Sequence, residues 1–337
     1  MWPAATLAVL AWAAVSAQAG TLQHDLRLTG GGTAVAVTSP TQVVTGIELW
    51  EVILGAAEPH DDEGLSKFYC SIHSSSGGLV TGDLSATWAK VYWPEYGVWA
   101  PTLLSMSMMS KLGAWTDLDG DGDVDIGSND PHESANWILG RLPDILSPLP
   151  GDQHHTVDLV FTGTGWGDQP HGVTEVYAVP RFRPEDRPPD RGIDDIWFEE
   201  GEPLEFGDVA GGQRIILYRP AEADAGGGYV AAPGGGVPLD GSDSVGTIDE
   251  WLWDLDGDGT TDVTGETVAV SFADLVKVYG LAPGVHDVTL TTYSTYTQDS
   301  ATVPLTVLPE PGTAALLIAG GVAAVVARRR AAPAARA

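Results

Sequence analysis

Glu250-Trp251-Leu252-Trp253-Asp254-Leu255-Asp256-Gly257-Asp258-Gly259 is the stretch whose reading decides the fold. By the period of two along an extended chain, Trp251 and Trp253 share one face. The run of Asp and Gly that follows stops the strand in a turn. Upstream stand Asp224-Ala225-Gly226-Gly227-Gly228-Tyr229 and Val237-Pro238-Leu239-Asp240-Gly241-Ser242. Downstream come Tyr279-Gly280-Leu281-Ala282-Pro283-Gly284-Val285 and two strand candidates, His286 to Thr292 and Thr302 to Val307. The rest of the chain has the same texture. Strand candidates are Leu22 to Leu28 and Thr33 to Val37 (a first pair around Gly30-Gly31-Gly32), Val43 to Leu54, Lys67 to Ile72, Leu84 to Tyr92, Thr156 to Thr162 and Gly172 to Val179. In the longest, Ile47, Leu49 and Glu51 fall on one face and Glu48, Trp50 and Val52 on the other. Short strands bounded by turn residues, 42 Gly, 23 Pro and no long amphipathic helical period predict an all-β chain built of sandwiches.

The order and spacing over Ala221 to Val307 resemble a PKD domain, a small immunoglobulin-like sandwich of surface proteins. The resemblance implies that Trp253 is the core tryptophan, faced by Val288, Leu290, Val303 and Leu305, and that the module is a spacer or binding unit without catalysis. The chain departs from that family at Leu255-Asp256-Gly257-Asp258-Gly259, where Phe-Gly-Asp-Gly is usual. Leu49-Trp50-Glu51-Val52, Gly64-Leu65-Ser66 and Gly77-Gly78-Leu79-Val80 bear a loose likeness to N-terminal domains of PEP-CTERM surface proteins, which transfers no site. Pro180 to Pro189, rich in Pro, Arg and acids, reads as an exposed linker or long loop. Ile196 to Phe206 and Arg214 to Tyr218 read as strands of either neighbour. The expected organisation is a signal peptide over 1–19, an N-terminal β-sandwich over 20–182, linker and strands over 183–220, the PKD-like domain over 221–308, a sorting segment over 309–330 and a tail over 331–337.

The 337 residues carry 46 Asp+Glu against 16 Lys+Arg, a formal net charge of -30. With no basic stripe to release counterions, nucleic acid is not an expected partner. Such a surface attracts divalent cations. Charged residues are only 18% and hydrophobic ones 43%, enough to build cores. Cys70 is the single cysteine, so no internal disulfide can form. In an apolar strand it reads as packing.

Both ends read as targeting segments, the N-terminal one as a cleaved secretory signal with an uncleaved N-terminal anchor as the alternative. Met1 to Ala19 is apolar and closes on Ala17-Gln18-Ala19, the small-residue pattern of a signal-peptidase site. At the other end Pro309-Glu310-Pro311-Gly312 precedes an uncharged apolar run from Thr313 to Ala327 and then Arg328-Arg329-Arg330. As a helix the run reaches roughly 22 Å, short of the ~30 Å hydrocarbon core of a bilayer. The arginines favour a cytoplasmic C-terminus. Those three parts in order resemble the PEP-CTERM sorting signal of exported bacterial proteins. The resemblance implies recognition by a membrane-embedded exosortase, cleavage near Pro-Glu-Pro, and delivery to the cell surface or an extracellular polymer matrix. A departure is the extension from Ala331 to Ala337. The competing reading is a plain C-terminal membrane anchor.

The strongest chemical signal occurs twice. Asp117-Leu118-Asp119-Gly120-Asp121-Gly122-Asp123-Val124-Asp125 and Asp254-Leu255-Asp256-Gly257-Asp258-Gly259, followed by Asp262, share their first six residues. Alternating carboxylates around turn-forming glycines gather oxygens at one point, as a structural Ca²⁺ with ~6–8 oxygen ligands requires. Neither is an EF-hand loop, because the place of the bidentate Glu holds Ser128 or Gly265. The plainer reading is a pair of solvated acidic turns. His154 and His155, adjacent in extended chain, point to opposite faces and do not share a metal. No His-Glu-x-x-His run, Gly-x-Ser-x-Gly elbow or phosphate loop is present. Pro94-Glu95-Tyr96-Gly97 is turn-like, so that Trp93 and Trp99 flank a hairpin tip; with Trp88, Tyr92 and Tyr96 they read as core aromatics or as a sugar platform.

The sequence therefore predicts an exported, non-catalytic structural or adhesive protein of the envelope or matrix. It would meet an exosortase-type enzyme, matrix polymers such as exopolysaccharide, and the membrane through its C-terminal segment before processing. The alternatives are a carbohydrate-binding module and a polysaccharide hydrolase with a carboxylate pair hidden among the acids.

Overall fold

The computed structural model describes residues 21–54, 67–75, 78–93, 98–101, 111–129, 138–141, 153–181, 197–198, 202–203, 209–310 and 312. The first body contains β1 (Thr21–Leu28), β2 (Ala34–Ala36), β3 (Val43–Leu54), β4 (Lys67–Ser74), β5 (Val80–Trp88), β6 (Lys90–Trp93), β7 (Val98–Pro101), β8 (Lys111–Leu112) and β9 (Trp115–Thr116). It continues with β10 (Asp125–Ile126), β11 (Ile138–Arg141), β12 (Gln153–Trp166) and β13 (Thr174–Pro180); β14 (Trp197–Phe198) and β15 (Glu202–Pro203) form a two-stranded sheet of their own, and β16 (Val209–Gly211) and β17 (Ile215–Tyr218) return to the first body.

Two sheets face each other. One has the order β16-β1-β3-β12-β5, the other β2-β17-β13-β4-β10-β9, with β11 on β4 and β8 on β11. Alternation decides which residues meet between them. Ile47, Leu49 and Glu51 of β3 are all fully buried, as are Val157, Leu159 and Phe161 of β12. Against them the second sheet packs Cys70, Ile72, Ile126, Val176, Ile215 and Leu217 in one continuous core.

The expected pairing of the first two strands does not form. Gly31 and Gly32 do take positive φ in a turn closed by Gly31 N–H to the Leu28 carbonyl. β1 instead pairs β3 over eight residues, from Thr21–Leu54 to Leu28–Ile47, while β2 crosses to lie parallel to β17. Eight cross-strand pairs outweigh the three that β2 could offer. The predicted strand Leu84 to Tyr92 is divided, and β6 pairs β7 in a separate hairpin that sets Tyr92 opposite Trp99 and Trp93 opposite Val98. Within Ile196 to Phe206 the described residues are the small β14–β15 pair. β16 and β17, of open ownership in the sequence, pair β1 and β13, so both belong to the first body.

The second body contains β18 (Tyr229–Ala231), β19 (Gly236–Asp240), β20 (Glu250–Asp254), β21 (Val263–Thr264), β22 (Thr267–Ser271), α1 (Phe272–Lys277), β23 (Gly284–Tyr293) and β24 (Gln298–Val307). One sheet runs β18-β24-β23-β20-β21 and the other pairs β19 with β22. That division is the immunoglobulin-like one, with the third, sixth and seventh strands in one layer and the second and fifth in the other. Trp253, Val288, Leu290 and Leu305 are fully buried between the layers; Trp251 and Val303 pack on the same core from partly covered positions. Helix α1 is capped by Ser271, whose side chain accepts from the Asp274 N–H, and it buries Phe272 and Leu275.

The two bodies meet directly. Ile248 N–H donates to the His171 carbonyl at 3.0 Å, and Thr247 Oγ1 to the Gly172 carbonyl at 2.8 Å. His171 stands edge-on to Trp251 and Tyr218 stacks on Tyr296, while Arg219, where the chain leaves the first body, lies 4.8 Å from the ring centre of that body's Trp166. Gly246 makes the close approach possible: at φ 105°, a Cβ there would fall 2.3 Å from the Pro220 carbonyl oxygen. No helix among the described residues is long and apolar enough to cross a membrane. The two apolar termini expected to be helical lie outside them, as do Pro311 and Arg328 to Arg330. Pro309 and Glu310 are exposed, directly after β24.

Candidate cation sites

Each Asp-rich loop is the tip of a hairpin. The first connects β9 to β10, with Asp125 opposite Thr116; the second connects β20 to β21, with Trp253 opposite Val263. Their internal bonding is the same. Asp117 accepts from Gly120 and Gly122 N–H at 2.6 and 3.0 Å, and Asp254 accepts from Gly257 and Gly259 at 2.7 and 2.9 Å. Leu118 N–H donates to Asp125, as Leu255 N–H does to Asp262. The four glycines have φ between 76° and 95°, the left-handed region that an L side chain resists.

This folding draws together Asp117, Asp119 and Asp125 in one loop and Asp254, Asp256 and Asp262 in the other, with one oxygen from each within 4.8 Å of the rest. The other expected ligands are engaged differently. Asp121 accepts from the Asp123 N–H, Asp258 from Thr260, and Asp123 reaches back to Gly82 N–H and Thr164 Oγ1. Asp130, a further candidate oxygen donor to the first loop by its place in the sequence, is outside the described residues.

The first loop is tied into both sheets. Asp125 is 1% exposed and accepts from the Ser74 N–H at 2.8 Å, while Val124 N–H donates to Asp83. Burial, then the carboxylates of Asp119 and Asp121, push Asp125 up to about 6 against the pull of its two backbone donors. Beside it, burial and then the Arg181 guanidinium lower His73 to about 4, so the neutral ring accepts from Arg181. Arg181 is further held by Ser71 and Asn129. In the second loop Asp262 is raised by burial and by Asp256, Asp254 and Asp258. The donor set of both loops is all carboxylate, and a hard divalent cation is what would let such groups stay ionised together.

Elsewhere, Cys70 is buried, and burial followed by the nearby Glu51 carboxylate raise its thiol well above the ordinary range, which suits packing and not nucleophilic work. Trp88 is partly buried against the first core. The side chains of Tyr92, Trp93, Tyr96 and Trp99, on which the sugar-platform reading rested, lie outside the described residues.

No family model matches the chain, and no curated protein does. Solved structures overlap it loosely. A titin Z1Z2 structure in complex with telethonin shares 10% identity over 88% of this chain and 99% of its own, at a TM-score of 0.21. The titin I-band fragment I67–I69 shares 9% over 85% and 65%, at 0.23. The four N-terminal Ig domains of a Dscam1 isoform share 7% over 85% and 65%, at 0.29. Overlaps of that size add nothing to what the sheets themselves define, which is an all-β chain of two sandwiches.

Proposed function

We propose that the chain is an exported structural or adhesive protein of the cell envelope or extracellular matrix, without catalytic activity of its own. The observation that carries this reading is the direct joint between the sandwiches, where backbone bonds and stacked rings replace a free linker. A joint of that kind transmits position and load, which suits a spacer or scaffold. The second sandwich would be a PKD-type module, and the segment from Pro309 to Arg330 a PEP-CTERM-type signal read by an exosortase-type enzyme. Matrix polymers such as exopolysaccharide are the proposed partners. The test is mass spectrometry of the protein recovered from the host surface. The expected product begins after Ala19 and ends near Pro311, and Pro309→Ala with Pro311→Ala should leave uncleaved protein in the membrane. Surface protein ending at Ala337 would replace the sorting signal with a plain anchor.

Within this reading the two Asp loops hold structural Ca²⁺. Asp117, Asp119 and Asp125 would supply one site, and Asp254, Asp256 and Asp262 the other. A ligand that binds only the folded state stabilises it by about 2.7 kcal/mol at 100 times its Kd, so chelation should lower Tm by about 5–10 °C in the larger first sandwich and about 10–20 °C in the smaller second one. Asp119→Asn and Asp256→Asn, both on the loop exteriors, should each remove one part of that difference and together all of it. A melting curve indifferent to chelator in the unmodified chain would rule out both sites.

A further inference from the structure

We infer that the outer face of the first sheet carries a separate site for a divalent transition ion of the zinc class, formed by Glu48, His155 and Asp158. A β-bulge creates it. In the pairing of β12 with β3, His155 is opposite Trp50 and Val157 is opposite Leu49, so Thr156 is the extra residue. Thr156 and Val157 are both fully buried, and alternation restarts beyond them. His155 and Asp158, three apart and otherwise on opposite faces, are thereby brought to the same side.

The pieces then converge. Glu48 is directly opposite Asp158 in the register, a like-charge pair that costs stability unless a cation lies between them. Arg27, the register neighbour of Glu48 on β1, does not neutralise it. Its guanidinium pairs with Asp25 and Gln153 and lies over the Trp50 ring. One ligand atom each from Glu48, His155 and Asp158 lie within 4.8 Å of one another. The His155 Nε2 is 3.0 Å from an Asp158 oxygen, yet it is closed to solvent and makes no directed hydrogen bond. Two ligand atoms on one ion with bonds near 2.1 Å are themselves about 3.0–3.4 Å apart, the separation this pair already has.

The surroundings hold the ligands in place. Trp50 stacks on the His155 ring at 5.2 Å and 16°, and its indole N–H donates to Glu48 at 2.9 Å. Thr29 Oγ1 donates to the other Glu48 oxygen at 2.7 Å. Outer groups that orient ligands in this way tune metal affinity. One imidazole with two carboxylates suits zinc, whereas Ca²⁺ takes oxygen ligands alone, so this site and the Asp loops select different ions.

The experiment is isothermal titration of the tag-free full-length chain with ZnCl₂ in buffer saturated with Ca²⁺. One Zn²⁺ per chain is expected. His155→Gln and Asp158→Asn should weaken it at least about tenfold, Trp50→Phe by less, and Asp119→Asn with Asp256→Asn not at all. Co²⁺ should give the unmodified chain a visible d–d band that one equivalent of Zn²⁺ removes, a readout that depends on no variant folding. Failure of the unmodified chain to take up Zn²⁺, or unchanged stoichiometry and affinity in folded His155→Gln, would overturn the assignment.

Discussion

Trp253→Ala is expected to lower the stability of the second sandwich by about 3–5 kcal/mol, the range for truncating a large aromatic in a packed core. The indole is fully buried, with Leu290 opposite it on β23 and Val263 on β21. Around it Val237, Leu239, Val270 and Leu305 close the space between the two layers, so little of the resulting cavity can collapse. The indole N–H also donates to the Gly265 carbonyl at 2.9 Å, at the end of the β20–β21 hairpin. Trp253→Phe separates the two contributions: it keeps most of the volume and loses the hydrogen bond, for a cost of about 1–3 kcal/mol. Urea unfolding of the full chain, followed by far-UV circular dichroism, measures both. A loss under 1 kcal/mol for Trp253→Ala would mean that this tryptophan does not centre the core.

Much of this was legible in the chain itself, because period-two alternation needs no partner to be read. Ile47, Leu49 and Glu51 share a face in the sequence and are all buried in the structure. The inner-face placement of Trp253 with Val288, Leu290 and Leu305 came instead from the resemblance to a PKD domain, and all four are buried. Partners were harder. Gly30 to Gly32 do turn the chain, but a turn does not oblige the strands on either side to pair, and β1 found a longer mate in β3. β16 and β17 return to the first body after a long excursion, and no local pattern announces a contact made at that sequence distance.

The candidate sites divide along the same line. The Asp loops are local, and their repeated spacing set the acids of each loop side by side; what it concealed was that Asp121, Asp123 and Asp258 turn to other donors while Asp125 and Asp262 close the ring. The Glu48, His155 and Asp158 cluster is not local. It depends on one inserted residue, Thr156, and a single bulge reverses the face assignment of every residue beyond it. The His-x-x-Asp spacing in a strand was the available signal, and it reads as a site only when a bulge is supposed.

His24→Ala is expected to destabilise the first sandwich by about 3 kcal/mol at pH 7, because it leaves the buried Glu51 carboxyl without its hydrogen-bond partner. His24 Nδ1 is 2.6 Å from Glu51 Oε2, with both side chains fully buried between the sheets. Burial raises the Glu51 carboxyl above its ordinary range and Asp25 adds to this, while His24 holds it down by charge and hydrogen bond. Without His24 that restraint is gone and the folded-state value rises further. A carboxyl held high in the folded state contributes stability below its unfolded pKa of about 4.3, and this contribution is lost as pH rises through the folded value. The deficit of the variant should therefore be largest at neutral pH and shrink as pH falls, because Glu51 can then take up a proton in place of its partner. Replacing both residues, His24→Leu with Glu51→Leu, should recover most of the loss, because the apolar pair leaves no buried charge. Urea titrations at pH 5 and pH 7 decide it. If His24→Ala is within about 0.5 kcal/mol of the unmodified chain at pH 7, or if its deficit grows toward acid, then the imidazole is not what makes the buried carboxylate tolerable.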